Sequence, residues 1–214
     1  MGRHGAALCY ALQFETAARQ WDIVGQWVPL SDPRPSTIIG GGQKWIGPTW
    51  AAIDANMVLT LTPTKTEKTT AKRTHIDLKL CPMVVDELAL IPPESRTGPL
   101  IINENTGFPY GEVAFQRAWR MVRDRAGLSP KLWNRDIRAG GITEGGEAGA
   151  SSDDRAKLAG HSSRNMTRSV YDRDVLAGSN RVAMARAAFR ERQRDGGERH
   201  DKVDRSEGEL LPQD

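Results

Sequence analysis

The chain has 214 residues, 38% hydrophobic and 27% charged, a composition that fits a water-soluble globular protein with room for one sizeable domain and a tail. Its formal charge is +3, but residues 195–214 hold seven acids and three bases, so the body before them stands near +7 and favours a polyanionic partner. Cys9 and Cys81 stand far apart with no His or Cys cluster beside them, which points to neither a zinc site nor a disulfide framework; no apolar run nears the roughly 18 residues of a membrane span, and no signal-peptide stretch opens the chain, so a cytoplasmic location is expected.

Residues 6–27 place Ala, Leu, Tyr, Leu and Phe, then Ile, Val and Trp, at mixed spacings of three and four. This pattern predicts two helices broken near Thr16-Ala17-Ala18, with Arg19 directly after the break. Gly40-Gly41-Gly42-Gln43-Lys44 has the look of a phosphate loop. It lacks the spaced second glycine and the Gly-Lys-Ser/Thr ending, so it is read as a flexible connection and no nucleotide site is assigned. Residues 56–62 and 73–80 alternate with strand periodicity, and the polar, lysine-rich stretch 63–72 between them is expected to form a hairpin tip. A short helix is predicted over 82–90, ended by Pro92-Pro93, followed by a buried segment over 100–103 and a turn over 105–110. Residues 111–126 form an amphipathic helix with Val113, Phe115, Ala118, Trp119 and Val122 on its apolar stripe. Arg117, Arg120, Arg123 and Arg125 lie outside it, on a face suited to DNA backbone or to solvent.

Chemistry-bearing residues concentrate between 134 and 171. Trp133 leads into a helix on which Arg135 and Arg138, three apart, share a face, and Ala139-Gly140-Gly141 offers a surface small enough for close packing or for a ligand. Ser151 is the expected N-cap of the next helix, with Asp153 and Asp154 in its first turn, and Gly160 its expected end, presenting His161 just beyond. Tyr171 falls in a short predicted helix over 166–172. An amphipathic helix over 175–194 precedes an acidic, apolar-poor tail expected to be disordered. Helices and tight turns can bring these arginines, the histidine and the tyrosine to one pocket suited to a phosphodiester. A phenol attacks phosphorus if charge on the phosphate oxygens is stabilised, and the planar arginine fork matches two such oxygens at once.

Arg135-x-x-Arg138, then Leu158-Ala159-Gly160-His161, then Tyr171 ten residues on, resembles the C-terminal signature of the tyrosine recombinases, the phage-integrase family, whose usual form is His-x-x-Arg, Leu-Gly-His and Tyr. Thr16-Ala17-Ala18-Arg19, followed by Asp22, is similar to the family's Thr-Gly-x-Arg turn with alanine in place of glycine. Lys65-Thr66 is the nearest match to its hairpin lysine, with Lys68 second. The resemblance covers about residues 6–194 and implies a mainly α catalytic domain with a small antiparallel β-hairpin sheet (α+β), ahead of the tail at 195–214. It implies site-specific breaking and rejoining of duplex DNA by a homo-tetramer, with Tyr171 as nucleophile forming a 3′-phosphotyrosyl link. Arg19 and Arg138 would clamp the phosphate, His161 would hydrogen-bond it, and Lys65 would protonate the leaving 5′-oxygen, with no ATP, metal or other cofactor.

Arg135 stands where the family has a histidine proposed as base. Arginine cannot accept a proton at working pH, so the position supplies positive charge only, and slower but real cleavage is expected. The family usually places a DNA-arm-binding domain before the catalytic one, and here Met1 lies only eighteen residues ahead of Arg19, so that domain is expected to be absent. The family's terminal helix often docks on a neighbouring protomer, although the Ala-rich stripe over 175–194 suits packing at home equally. The alternatives are a truncated, catalytically weak or silent DNA-binding remnant of a phage integrase, a type IB topoisomerase-like enzyme, and a helical regulator without phosphate chemistry.

Overall fold

The structure is a computed structural model that describes residues 4–63, 73–159 and 178–194. Lys65 and Lys68, His161 and Tyr171, the short helix expected over 166–172 and the tail at 195–214 all lie outside the described residues.

The first helix, α1 (His4–Thr16), buries residues on every side, among them Ala6, Leu8, Cys9, Leu12, Gln13 and Glu15. A helix without a polar face must be covered all round, and α3 (Pro82–Ala89) and α5 (Asn134–Glu147) supply most of that cover. The break expected near residue 17 is present: α1 ends at Thr16 and α2 spans Gln20–Val24. Gln26 and Trp27, expected to be helical, belong instead to β1 (Gln26–Pro29), because the chain turns at Gly25 with φ 77°.

A second departure follows directly. β1 pairs antiparallel with β3 (Gln43–Ile46), which pairs with β2 (Ile39–Gly40), giving a three-stranded sheet that the sequence reading did not foresee. Gly41 and Gly42 (φ 57° and 73°) form the two-residue turn between Gly40 and Gln43. Both central residues at positive φ make the turn whose twist matches a hairpin, so this stretch is an ordered β-turn and not a flexible connection. The hairpin that was expected is β4 (Val58–Leu61) with β5 (Thr74–Asp77), register Leu59↔Ile76. β5 is shorter than expected, because the Asp77 side chain accepts from Lys79 N at 3.0 Å and winds Leu78–Leu80 into a 3-10 turn.

The helix α4 (Glu112–Arg125) buries Phe115, Ala118 and Trp119 as its pattern predicts, but Val113 is 65% exposed and leaves the stripe. Its Phe115 ring meets Tyr10, Trp21 and Tyr110 at centroid distances of 5.4–6.2 Å. The helix α6 (Ser152–Leu158) begins as expected, with the Ser151 hydroxyl accepting from Asp154 N at 3.0 Å. The last described helix, α7 (residues 178–194), packs at home, with Val182 and Arg186 buried. Together the elements form an α+β fold in which no helix among the described residues is long and apolar enough to cross a membrane.

Two contacts lock α1, α5 and α7 together. A Cβ on Gly141 would lie 1.9 Å from Phe14 O, so α5 touches the α1 backbone here without a side chain between them. Beside this contact, Arg186 Nη1 donates to Phe14 O at 3.1 Å and Glu15 O at 2.8 Å, carbonyls of the last turn of α1. Arg186 also pairs with Glu144, and Arg190 bridges Glu144 and Glu15. Burial alone raises the Glu144 carboxyl, but hydrogen bonds from Arg190 and Arg186 outweigh it and hold Glu144 below its ordinary range.

Helix propensity favours Gly141→Ala by about 1 kcal/mol, yet the obstructing atom is backbone and cannot swing aside. The substitution is therefore expected to destabilise by about 2–3 kcal/mol, read as a lower denaturant midpoint; a gain in stability would refute the backbone contact. Arg186→Met leaves two α1 carbonyls without their donor and Glu144 with Arg190 as its remaining partner, and a loss of about 2–5 kcal/mol is expected. A carboxylate lowered on folding gives stability that is complete above its unfolded value, here 4.5, and that disappears as pH falls through the folded value. Glu144→Gln should accordingly show a shallower loss of stability below about pH 4.5 than the parent in acid titration of the midpoint.

Candidate active site

The site begins where α1 stops. Thr16 Oγ1 donates to Leu12 O at 2.6 Å and accepts from Ala18 N at 3.3 Å, closing the end of the helix on itself. Ala17 then adopts φ 50°, the left-handed region that favours glycine, at the position where the resembled motif has glycine. Arg19 follows as N-cap of α2, its carbonyl accepting from Asp22 N at 3.0 Å. Its guanidinium Nη1 lies 3.7 Å from Asp22 Oδ2, and the Asp22 side chain is buried. One tight turn thus both delivers Arg19 and gives it an orienting carboxylate.

Arg138 arrives from the other end of the chain. It stands on α5 one turn before the Gly141 contact, and its Nη2 donates at 2.7 Å to the carbonyl of Ala159, the C-cap of α6. Burial, then the like charge of Arg19, push the Arg138 guanidinium below its ordinary value, with Asp22 opposing them. Arg19, Asp22 and Arg138 line one pocket, together with Leu61, Pro63, Thr74 and Ile76 of the β4–β5 hairpin and Leu158 and Ala159 of α6.

Of the residues singled out in the sequence, the structure brings Arg19 and Arg138 together. Pro63, the last described residue before the segment holding Lys65 and Lys68, lines their pocket, as does Ala159, the last before the segment holding His161 and Tyr171. Arg135 is not among the lining residues. It is exposed, with its guanidinium 5.7 Å from the Trp133 ring centroid. The arginines of α4 lie elsewhere: Arg117, Arg120 and Arg125 are exposed, while Arg123 donates to Asp124 and to Pro130 O.

Two guanidiniums with one carboxylate, beside Arg19, leave these three lining side chains with net positive charge, and forked donors of this kind match the non-bridging oxygens of a phosphate. Sequence reasoning missed the Ala159 carbonyl as the tether of Arg138, and Arg186 as the partner of the α1 carbonyls. A backbone acceptor carries no residue signature, and an arginine in an amphipathic helix reads as surface. The thiols take no part: Cys9 and Cys81 are buried, and burial pushes both well above the ordinary thiol range, where thiolate is scarce.

The left-handed conformation costs a non-glycine residue about 1–2 kcal/mol, but Ala17→Gly gives up a buried methyl worth about 0.8 kcal/mol and adds the unfolded-state entropy of glycine, about 0.5–1 kcal/mol. The terms nearly cancel, so Ala17→Gly is expected to stay within about 1 kcal/mol of the parent. A β-branched Ala17→Val, buried at the same φ, should lose well over 2 kcal/mol. Thermal unfolding of both variants checks the order, and equal losses would sink the left-handed assignment. Compared with protein-family models, with curated proteins and with solved structures, the chain finds no match.

Proposed function

We propose that the pocket between Arg19 and Arg138 binds the scissile phosphate of duplex DNA, and that the chain is the catalytic domain of a tyrosine recombinase, breaking and rejoining DNA in the cytoplasm without ATP or metal. The observation that carries this reading is the convergence of two arginines, distant in sequence, on one pocket beside a buried aspartate. Two like charges held together are unfavourable until an anion lies between them, and a phosphodiester is the anion that the remaining residues are equipped to process.

In the proposed reaction the Tyr171 phenolate attacks phosphorus and the bond to the 5′-oxygen breaks. Arg19 and Arg138 hold the non-bridging oxygens, where negative charge grows in the transition state. His161 adds a hydrogen bond to the same oxygens, and Lys65, or Lys68 in its place, gives a proton to the departing 5′-oxygen. The phenol, with an ordinary pKa of about 10, releases its proton to water, since Arg135 cannot take it. The phosphotyrosyl link retains the bond energy, so a 5′-hydroxyl of another strand can reverse the step. Exchange between two duplexes calls for four such sites, hence a homo-tetramer on DNA. The second reading, a DNA-binding remnant that no longer cleaves, draws its support from arginine at position 135.

A random-sequence duplex library carrying nicks traps the covalent intermediate by letting the short cleaved strand diffuse away. Under denaturing conditions the parent is expected to carry DNA linked through a 3′-phosphate. Tyr171→Phe should carry none, and Arg138→Ala about 100-fold less or lower still. DNA binding that weakens in Arg19→Ala and Arg138→Ala, with no adduct from the parent, would select the silent remnant. A chain that neither binds nor cleaves DNA contradicts both readings.

A further inference from the structure

We infer that Trp133 and Arg135 form a nucleotide platform beside the two-arginine pocket, the indole receiving a base unstacked next to the cleaved phosphate and the guanidinium contacting the adjoining backbone. The inference rests on the DNA reading above and adds to it a contact outside the phosphate clamp.

Trp133 is 61% exposed, a large apolar ring left in water. It is nevertheless held firmly from below. Its backbone N donates to Asp136 Oδ2 at 2.7 Å, closing the N-terminal cap of α5. The preceding loop is bound to α4 by Trp119 Nε1 donating to Leu132 O at 3.2 Å and by Arg123 Nη1 donating to Pro130 O at 2.8 Å. An exposed ring on a fixed frame loses little conformational freedom when it meets a ligand.

Arg135 sits over this ring at 5.7 Å and makes no ion pair among the described residues. The pair therefore offers both components of a nucleic-acid contact, an aromatic face for a base and a cation for phosphate. Its surroundings choose the partner. Lys131 is exposed two residues before the indole and Arg120 is exposed next to Trp119, whose ring holds this loop, whereas Asp124 is engaged by Arg123 and Asp136 by the cap. Met121, Leu128 and Leu132 are exposed in the same region, but the surplus of cations favours a polyanion over a protein face. Trp133 precedes Arg138 by five residues, about 7.5 Å along a helix axis. The link between them is Arg135, which shares a face with Arg138 one turn of about 5.4 Å away and has the indole against its guanidinium, so a strand clamped at Arg138 meets the pair one step further along.

Fluorescence anisotropy of labelled DNA tests this with the whole chain, comparing an intact duplex with the same duplex lacking one nucleotide, where a neighbouring base is free to leave the stack. The parent is expected to prefer the gapped duplex roughly tenfold. Trp133→Ala should lose the preference, and Trp133→Phe should keep it to within about threefold. Arg135→Gln should weaken binding to both DNAs and lower the slope of log affinity against log salt by about one, and Arg138→Gln should weaken both while keeping the preference. Unchanged melting of Trp133→Ala checks that the fold survives. Preference that persists in Trp133→Ala, or is absent from a parent that binds DNA, overturns the platform and leaves the phosphate clamp standing. A parent that binds neither duplex overturns both.

Discussion

The last turn of α1 sets a problem that three helices solve jointly. A helix leaves its final carbonyls without internal partners, and here that end is buried, with Glu15 and Thr16 at 3% and 1% exposure, where water cannot serve. Arg186 donates to two of these carbonyls from a helix more than 160 residues away in the chain, and a buried guanidinium then requires carboxylates. Glu144 meets that need, and Arg190, paired with both Glu144 and Glu15, completes two acids against two bases. Buried ion pairs of this kind often do no better energetically than well-packed apolar groups. Their effect here is on register, because Arg186 and Arg190 reach the α1 carbonyls and both carboxylates only with α5 and α7 set against the end of α1, and Arg186 Nη2 stays without a partner among the described residues.

That register fixes the candidate site. With Gly141 against the Phe14 carbonyl, the turn of α5 before it brings Arg138 alongside the residues that follow α1. Ala17, in its left-handed conformation, turns the chain so that Arg19 faces the same space. The β4–β5 hairpin and the end of α6 close the remaining sides, and these are the elements from which the chain runs on toward Lys65 and toward His161 and Tyr171. Burial first, and then the like charge of Arg19, disfavour the charged Arg138 guanidinium, and the surrounding packing sustains that cost. Local strain maintained by the rest of a fold is what a pre-formed anion site requires.

Arg135 and Trp133 show how a helix can divide its work. Two arginines three residues apart share a face by spacing, yet Arg138 is half-buried and tied to a carbonyl while Arg135 is exposed over an indole. The difference comes from position along the axis. At the start of α5 Asn134 is buried while Trp133 and Arg135 on either side of it are exposed, and further along Gly140 and Gly141 lie against Phe14 of α1.

Periodicity and capping chemistry in the sequence were enough to place α1 and its break, α3, α4, α6, most of α7 and the β4–β5 hairpin, since each depends on contacts within a few residues. The order of arginines, histidine and tyrosine likewise named the candidate residues without reference to any distant neighbour. The three-stranded sheet was hidden because its strands are two to four residues long, too short for alternation to register, and its turn was mistaken for slack because glycine at positive φ and glycine in a flexible linker look alike as letters. Only the tertiary structure decided that Arg19 and Arg138 share a pocket, that Asp22 and the Ala159 carbonyl orient them, and that Arg186 belongs to the core. These are pairings across the length of the chain, set by which backbone carbonyls and buried charges must be satisfied at one junction, and local sequence carries no record of such partners.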